Sequence, residues 1–440
     1  MEGARPNHKE ISLSDSGTEA ASVALEPTSS GQSQSASVGG GIDATRSERP
    51  KAILICYCCG PGEGSEAGAG WAWTRAAAEV ADVVLLTTSY FRESIEKAIA
   101  KEDLPIQVRW VDYGCWAKFI HPYLRWLVHA TRAVRRCEKE QHIDVAHHIT
   151  LASDSLPTPI LASRAPIRIW GPVGGATRTT WGLYRYLTLR GVLGEIQRDI
   201  LNGICRLTTG AWVARRATLL VALNRDVASW WGTRKKPMVV ESNTALYEEE
   251  LYRAKAAARS LDGESQERVA VFAGRLIPWK GIRLAIETVA HAPGWKLVVM
   301  GTGPERVPAE GLARKLGVAE RVEFRGEVER EEALKQFTLA DAMLFLSFHD
   351  SAPWAVAEAS ALGCPVVCLD AGGPASQAGP NAHVVAIKPT RTLPRRVAHE
   401  LNALDERGKK DRHLEATRLP ALLKTWYSTP VRVNEFPSTK

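Results

Sequence analysis

Four charged residues in the second half of the chain have the types and spacing to hold an anionic ligand that also carries hydroxyls. Arg275 and Lys280, in GRLIPWKG, follow the apolar run VAVFAG and precede a helical pattern with Ile282, Ala285, Ile286 and Val289 on one face. Two cations at a strand exit can clamp a diphosphate through charge-assisted hydrogen bonds, each worth about 1.5–3 kcal/mol once desolvated. Gly274 and Gly281 beside them let backbone approach a ligand. Further on, HDSAPWAVAEASALGCPVV sets Asp350 in a loop and Glu358 inside a short helix, with Pro353 at its first turn and Gly363 and Pro365 at its end. The turn through Ser351, Ala352, Pro353 and Trp354 brings free N–H groups of the helix start toward hydroxyl or anionic oxygens. A carboxylate among bound hydroxyls accepts hydrogen bonds without acting as a base. The plainer reading is a pair of solvated loop cations, and an acid of the N-terminal turn beside a solvated helix acid.

The elements that must position these residues follow from the apolar pattern. Short β-branched runs alternate with helical stretches: AILICY, DVVLLTT, IQVRWV, DVAHHIT, IRIWGP and TLLVAL, then VAVFAG, KLVVMG, RVEFRG, AMLFLS, PVVCLD and HVVAIK. That alternation predicts βα units and two parallel sheets, an α/β architecture of two Rossmann-like halves facing across a cleft. Ligands of such sheets bind beyond the carboxyl ends of the strands, where the four charged residues fall. The expected division is a disordered leader over 1–50, rich in Ser, Gly and Gln, a first domain over 51–245, a second over 246–425, and a tail over 426–440. The linker is expected near ESNTAL, 241–246.

Composition bounds the class. In 440 residues, 56 Lys and Arg against 49 Asp and Glu leave a net charge of +7, too mild and too scattered for a nucleic-acid partner. No apolar run reaches the ~18–20 residues of a membrane span, and the amino terminus has no signal-peptide pattern, so a cytoplasmic protein is expected. The eight cysteines imply no disulfide framework. Cys56 and Cys59 form a CxxC with no second pair to complete a metal site, which reads as buried thiols. The stretch WAKFIHPYLRWLVHATRAVRR, 116–136, interleaves aromatic and basic residues. It suits a core helix with a basic face; peripheral contact with the inner face of a membrane is the other reading.

The order GRLIPWKG, GTGP, VEFRG, ADAMLFLS, then D-x7-E followed by ASALGCPVV, resembles the carboxyl-terminal domain of family-four retaining glycosyltransferases with the GT-B fold, over about 270–375. GEGSEAGAGWAW, 62–73, resembles the glycine-rich loop of one branch of that family, written GSExGxGW. The resemblance implies that Arg275 and Lys280 bind the donor diphosphate, Glu358 the nucleotide ribose, and Asp350, where the family usually has glutamate, the donor sugar. It implies that Gly68 and Gly70, with Gly301 and Gly303 of the GTGP turn, lie beside the donor. It further implies that His147 or His148 of DVAHHIT lies against the donor sugar, while WGPVGG supplies Gly174 and Gly175 as a second exposed-backbone turn.

The function so implied is transfer of a hexose from a nucleotide diphosphate sugar to an acceptor hydroxyl, with no cofactor or metal beyond that co-substrate. Members of the family build surface polysaccharides and glycolipids, and others decorate antibiotics; the aromatic basic stretch leans toward a lipid-linked acceptor. Two rivals remain: a noncatalytic nucleotide-sugar-binding protein, and a glycoside hydrolase using Asp350 and Glu358 as its acid pair. Gly62, Gly64 and Ala67 also match a dinucleotide fingerprint, but DVVLLTTSY ends in hydroxyls where that fingerprint needs an acid.

Overall fold

A computed structural model describes residues 49–113, 121–232, 237–259 and 267–428. The leader read over 1–50 lies outside them except for 49 and 50, as does the tail beyond 428, Cys115, and 116–120 of the aromatic basic stretch. The first sheet contains β1 (Lys51–Cys56), β2 (Asp82–Thr87), β3 (Ile106–Trp110), β4 (Val145–Thr150), β5 (Ile167–Val173), β6 (Leu219–Ala222) and β7 (Met238–Val240). Their order is β3-β2-β1-β4-β5-β6-β7, and every pairing is parallel. The second sheet contains β8 (Arg268–Ala273), β9 (Trp295–Met300), β10 (Val322–Gly326), β11 (Ala342–Phe345), β12 (Val366–Leu369) and β13 (Ala382–Val385), in the order β10-β9-β8-β11-β12-β13, again all parallel.

Both sheets are covered on both faces, which is why their central strands are buried and, apart from His147, His148 and Thr150 of β4, mostly apolar. One face of the first sheet packs on the helix Ser65–Val80, the other on the helix Pro122–Glu140. The second helix buries Tyr123, Trp126, Ala130, Val134 and Cys137, so its aromatic stripe is core.

Two segments cross between the halves. Leu183, Tyr186 and Leu187, which follow β5, pack into the core of the second sheet. In return, the helix Leu419–Ser428 packs on the first domain and adds Leu419, Leu423, Trp426 and Tyr427 to its core. Sequence division assigns 419–425 to the second domain; their burial places them with the first. Trp426 stacks on Trp73, centroids 5.9 Å apart, and both are buried, each such side chain contributing about 1.5–3 kcal/mol or more. The linker is tied down as well: Gln377 Oε1 accepts from Ser242 Oγ at 3.2 Å and Thr244 Oγ1 at 2.9 Å.

Candidate functional site

Each sheet reverses its strand order at one point, between β1 and β4 in the first and between β8 and β11 in the second. Loops diverging there leave a crevice at the carboxyl ends of the strands. Arg275 and Lys280 leave β8 and Asp350 follows β11, so all three belong to the second switch point.

Local backbone brings Lys280 and Asp350 together. The turn Pro278–Lys280 is stitched to the exit of β11 by the Phe348 N–H, which donates to Trp279 O at 2.9 Å. Gly281 has φ 80°, and a Cβ there would lie 2.2 Å from Leu346 O, so only glycine allows this approach. The result is an ion pair, Lys280 Nζ to Asp350 Oδ2 at 2.6 Å, with both side chains largely buried. The ammonium also lies 4.8 Å from the Trp279 ring and 5.4 Å from Phe345, a cation–π cradle that fixes its height. Arg275 is exposed at the strand exit.

Glu358 lies inside the helix Trp354–Ala361 and is 6% exposed. Its Oε1 accepts from Arg330 Nε at 2.8 Å, and Arg330 reaches Glu250 at 2.9 Å with its other arm. Burial raises the Glu358 carboxyl above its usual range, and Arg330 opposes that rise. Asp350 and Glu358 each spend one oxygen on a cation; Asp350 Oδ1 and Glu358 Oε2 have no protein hydrogen bond among the described residues. Arg330 carries no motif signal: it lies 28 residues before its partner, on another helix.

The predicted glycines separate by what they do. Gly301 and Gly303 face the turn after β8: a Cβ on Gly303, at φ 151°, would meet Leu276 O at 2.3 Å. Gly68 and Gly70 lie on the helix Ser65–Val80, where a Cβ would strike Glu63 O at 2.0 Å and Cys58 O at 2.4 Å; Gly68 also faces the Trp354 ring of the second domain. Gly174 and Gly175 meet the Ser351 segment, with the Gly175 N–H 3.5 Å from Ser351 Oγ. Asn224 Nδ2 donates to Ser351 O at 3.0 Å from the first domain. Thus Ser351 and Trp354 touch the first domain, Ala352 lies between them, and Pro353 caps the helix.

The histidines are a correction. β4 runs on to Thr150, which leaves His147 and His148 inside the strand, and alternation drives them into opposite covered faces. His147 is bonded to Tyr427 Oη at 3.0 Å and Gly171 O at 2.8 Å, and sits edge-on to Trp73. By strict hydrogen-bond geometry neither ring nitrogen of His148 has a partner among the described residues. Burial lowers His147 to about 4 and His148 to about 3, so both are neutral core residues and neither opens on the cleft. Cys56 and Cys59 are free and buried, with burial raising both thiols.

A residue that sequence reasoning passed over occupies the first switch point. Glu66, within GSEAGAGW, accepts from the Leu151 N–H at 3.0 Å and from Asn243 Nδ2 at 3.3 Å. Burial raises its carboxyl above the usual range. Its place in the glycine-rich loop was the available signal.

Two parallel sheets of matching strand order, joined across a crevice at their switch points, define the GT-B fold. Residues 255–417 match the family model for glycosyl transferases group 1, which spans most of the second domain. A stretch of 122 residues is 33% identical to D-inositol 3-phosphate glycosyltransferase of Mycobacterium marinum, covering 27% of this chain and 26% of that protein. The chain thus matches about a quarter of that relative's length. Among solved structures, sucrose-phosphate synthase of Thermosynechococcus elongatus superposes with a TM-score of 0.55 at 13% identity, over 86% of this chain and 98% of that one. HepE of Anabaena, solved with UDP, gives 0.52 at 13% identity with the same shares. These likenesses carry the fold, and the family match supports a glycosyltransferase.

Proposed function

We propose that this chain is a retaining glycosyltransferase that moves a hexose from a nucleotide diphosphate sugar to an acceptor hydroxyl. The observation that carries the reading is the Lys280–Asp350 pair at the second switch point, 2.6 Å apart and flanked by the exposed Arg275. As the bond from the anomeric carbon to the diphosphate breaks, its electron pair goes to the diphosphate oxygen. Lys280 and Arg275 stabilise that growing charge, more in the transition state than in the bound donor. Asp350 Oδ1 accepts from sugar hydroxyls, and Glu358 Oε2 from those of the ribose. The acceptor oxygen forms the new bond to the anomeric carbon, and its proton leaves with the diphosphate or to solvent. A hydrolase needs an acid poised beside the scissile bond; here each carboxylate is already committed to a cation.

For the acceptor we infer a lipid-linked hydroxyl, with contact to an anionic membrane surface. Support comes from the helix Leu189–Cys205 and the turn after it, which expose Leu189, Leu193, Ile200, Leu201, Ile204 and Leu207 in an apolar stripe. Exposed Arg190 lies on the same helix, Arg185 on the turn before it, and Arg216 on the helix Ala211–Arg216 that follows. No described helix is long and apolar enough to cross a membrane.

Incubation with a panel of nucleotide sugars and a lipid-linked acceptor tests both readings. Nucleotide release, with the donor's anomeric configuration kept in the product by proton NMR, is expected; an inverted product contradicts retention. Flotation on vesicles with phosphatidylglycerol should weaken about tenfold in Leu193→Glu/Ile200→Glu, since two apolar contacts are lost. Equal flotation contradicts the membrane contact.

A further inference from the structure

Beside the donor-side ion pair lies a cavity of about 150 Å³ that the reaction described above does not use. Its walls are the 175–178 turn, one side of the helix Leu189–Cys205 with the residue after it, and His349 and Ser351, the neighbours of Asp350. Three arginines line it, Arg178, Arg198 and Arg206, against one acid, Asp199.

Two of the three guanidinium groups are paired with acids. Arg206 is 3% exposed; its Nε donates to Asp154 Oδ2 at 2.5 Å, and its plane lies 4.9 Å from the Trp230 ring. No protein acceptor takes its terminal N–H groups among the described residues. Arg178, which is exposed, lies 5.8 Å from the same Trp230 ring. Arg198 reaches His349 Nδ1 at 2.7 Å, Asp199 at 2.8 Å and Glu195 at 3.1 Å, while its buried Nε has no partner. Asp154 and Glu195 lie outside the lining, and they fix the positions of Arg206 and Arg198 at its wall. A single water needs only about 10–15 Å³ of such space; this cavity has room for a tetrahedral oxyanion and the carbon that carries it.

We propose that this cavity binds a phosphate group carried by the acceptor. Planar guanidinium forks match phosphate oxygens in pairs, and the shared wall through His349 and Ser351 turns a hydroxyl of the same acceptor toward Asp350 and Lys280. The word acceptor rests on the glycosyl-transfer reading, whereas phosphate binding at the three arginines does not. The phosphate can belong to a soluble phosphorylated acceptor or to a lipid headgroup.

Titration of the full chain with inorganic phosphate, by calorimetry and thermal shift, tests the site. Binding is expected in the parent and in Lys280→Ala, and about tenfold or more weaker in Arg198→Gln and Arg178→Gln. Arg178 is exposed, so Arg178→Gln stays informative if Arg198→Gln unfolds. Equal affinity in the parent and Arg178→Gln, loss confined to Lys280→Ala, or no binding at all overturns the proposal. Competition by glycerol 3-phosphate assigns a soluble source, competition only by phosphatidic acid vesicles assigns a headgroup, and competition by neither contradicts it. Donor turnover without phosphate binding removes this inference alone; phosphate binding without donor turnover removes the transfer reading alone.

Discussion

The two sheets share a strand order, yet their switch points are furnished with different chemistry. Between β8 and β11 a lysine and an aspartate sit 2.6 Å apart, with Arg275 exposed at the same strand exit. Between β1 and β4 the glycine-rich segment places Glu66, held by the Leu151 N–H and the Asn243 amide, and its burial raises its pKa. The first arrangement suits a leaving group that gains negative charge. The second suits neutral hydroxyls and backbone, because Glu66 is held by a backbone N–H and an amide and has no ion-pair partner among the described residues. On the proposed reading, one crevice supplies charge for bond breaking, the other shape and hydrogen bonding.

Substitutions at the two switch points should therefore differ in kind. The largest effect is expected for Lys280→Ala, which should lower kcat by about 10²–10³, by analogy with removal of a donor to developing charge. A kcat within threefold of the parent breaks the contrast. Gly303→Ala should act on the same crevice through stability. Its Cβ would lie 2.3 Å from Leu276 O at a φ of 151°, so a loss of about 1–3 kcal/mol in urea unfolding is expected. An unchanged midpoint would show that the 301–305 turn moves freely.

The first sheet should respond to pH instead. His147 and His148 have folded pKa values of about 4 and about 3, below the ordinary 6.5, so the unfolded chain takes up protons first as pH falls. Their contribution is fully present above pH 6.5 and is lost progressively down to about pH 3. At pH 5 each costs about 2 kcal/mol of stability. His148→Leu should therefore flatten the stability profile between pH 7 and 5 and leave kcat within about twofold, because the ring is buried in the sheet and does not open on the cleft. A profile as steep as the parent's contradicts the burial account. The smallest effect is expected for Glu358→Gln, a rise of about tenfold in donor KM with kcat little changed, since one hydroxyl contact weakens in both ground and transition states.

Much of this was legible in order and spacing. Each of the twelve apolar runs quoted from the sequence became a strand, and the cations after VAVFAG sit where a strand exit puts them. β7 escaped because three residues at a sheet edge leave no alternation to read. The histidines deceived because DVAHHIT continues two residues past His148, which keeps both rings within the buried strand. Arg330 and the returning helix Leu419–Ser428 depend on contacts between distant segments, which no local period encodes. The Leu189–Cys205 helix has an apolar stripe of ordinary spacing, and only the fold shows that the stripe faces outward.

The most direct measurement of the central claim is nucleotide release from a panel of nucleotide sugars at saturating donor, comparing the parent with Lys280→Ala, Glu358→Gln and His148→Leu. Release by the parent with one donor, lost in Lys280→Ala and kept in His148→Leu, is the predicted result. Equal release by the parent and Lys280→Ala, or loss confined to His148→Leu, would contradict a donor grip at the second switch point.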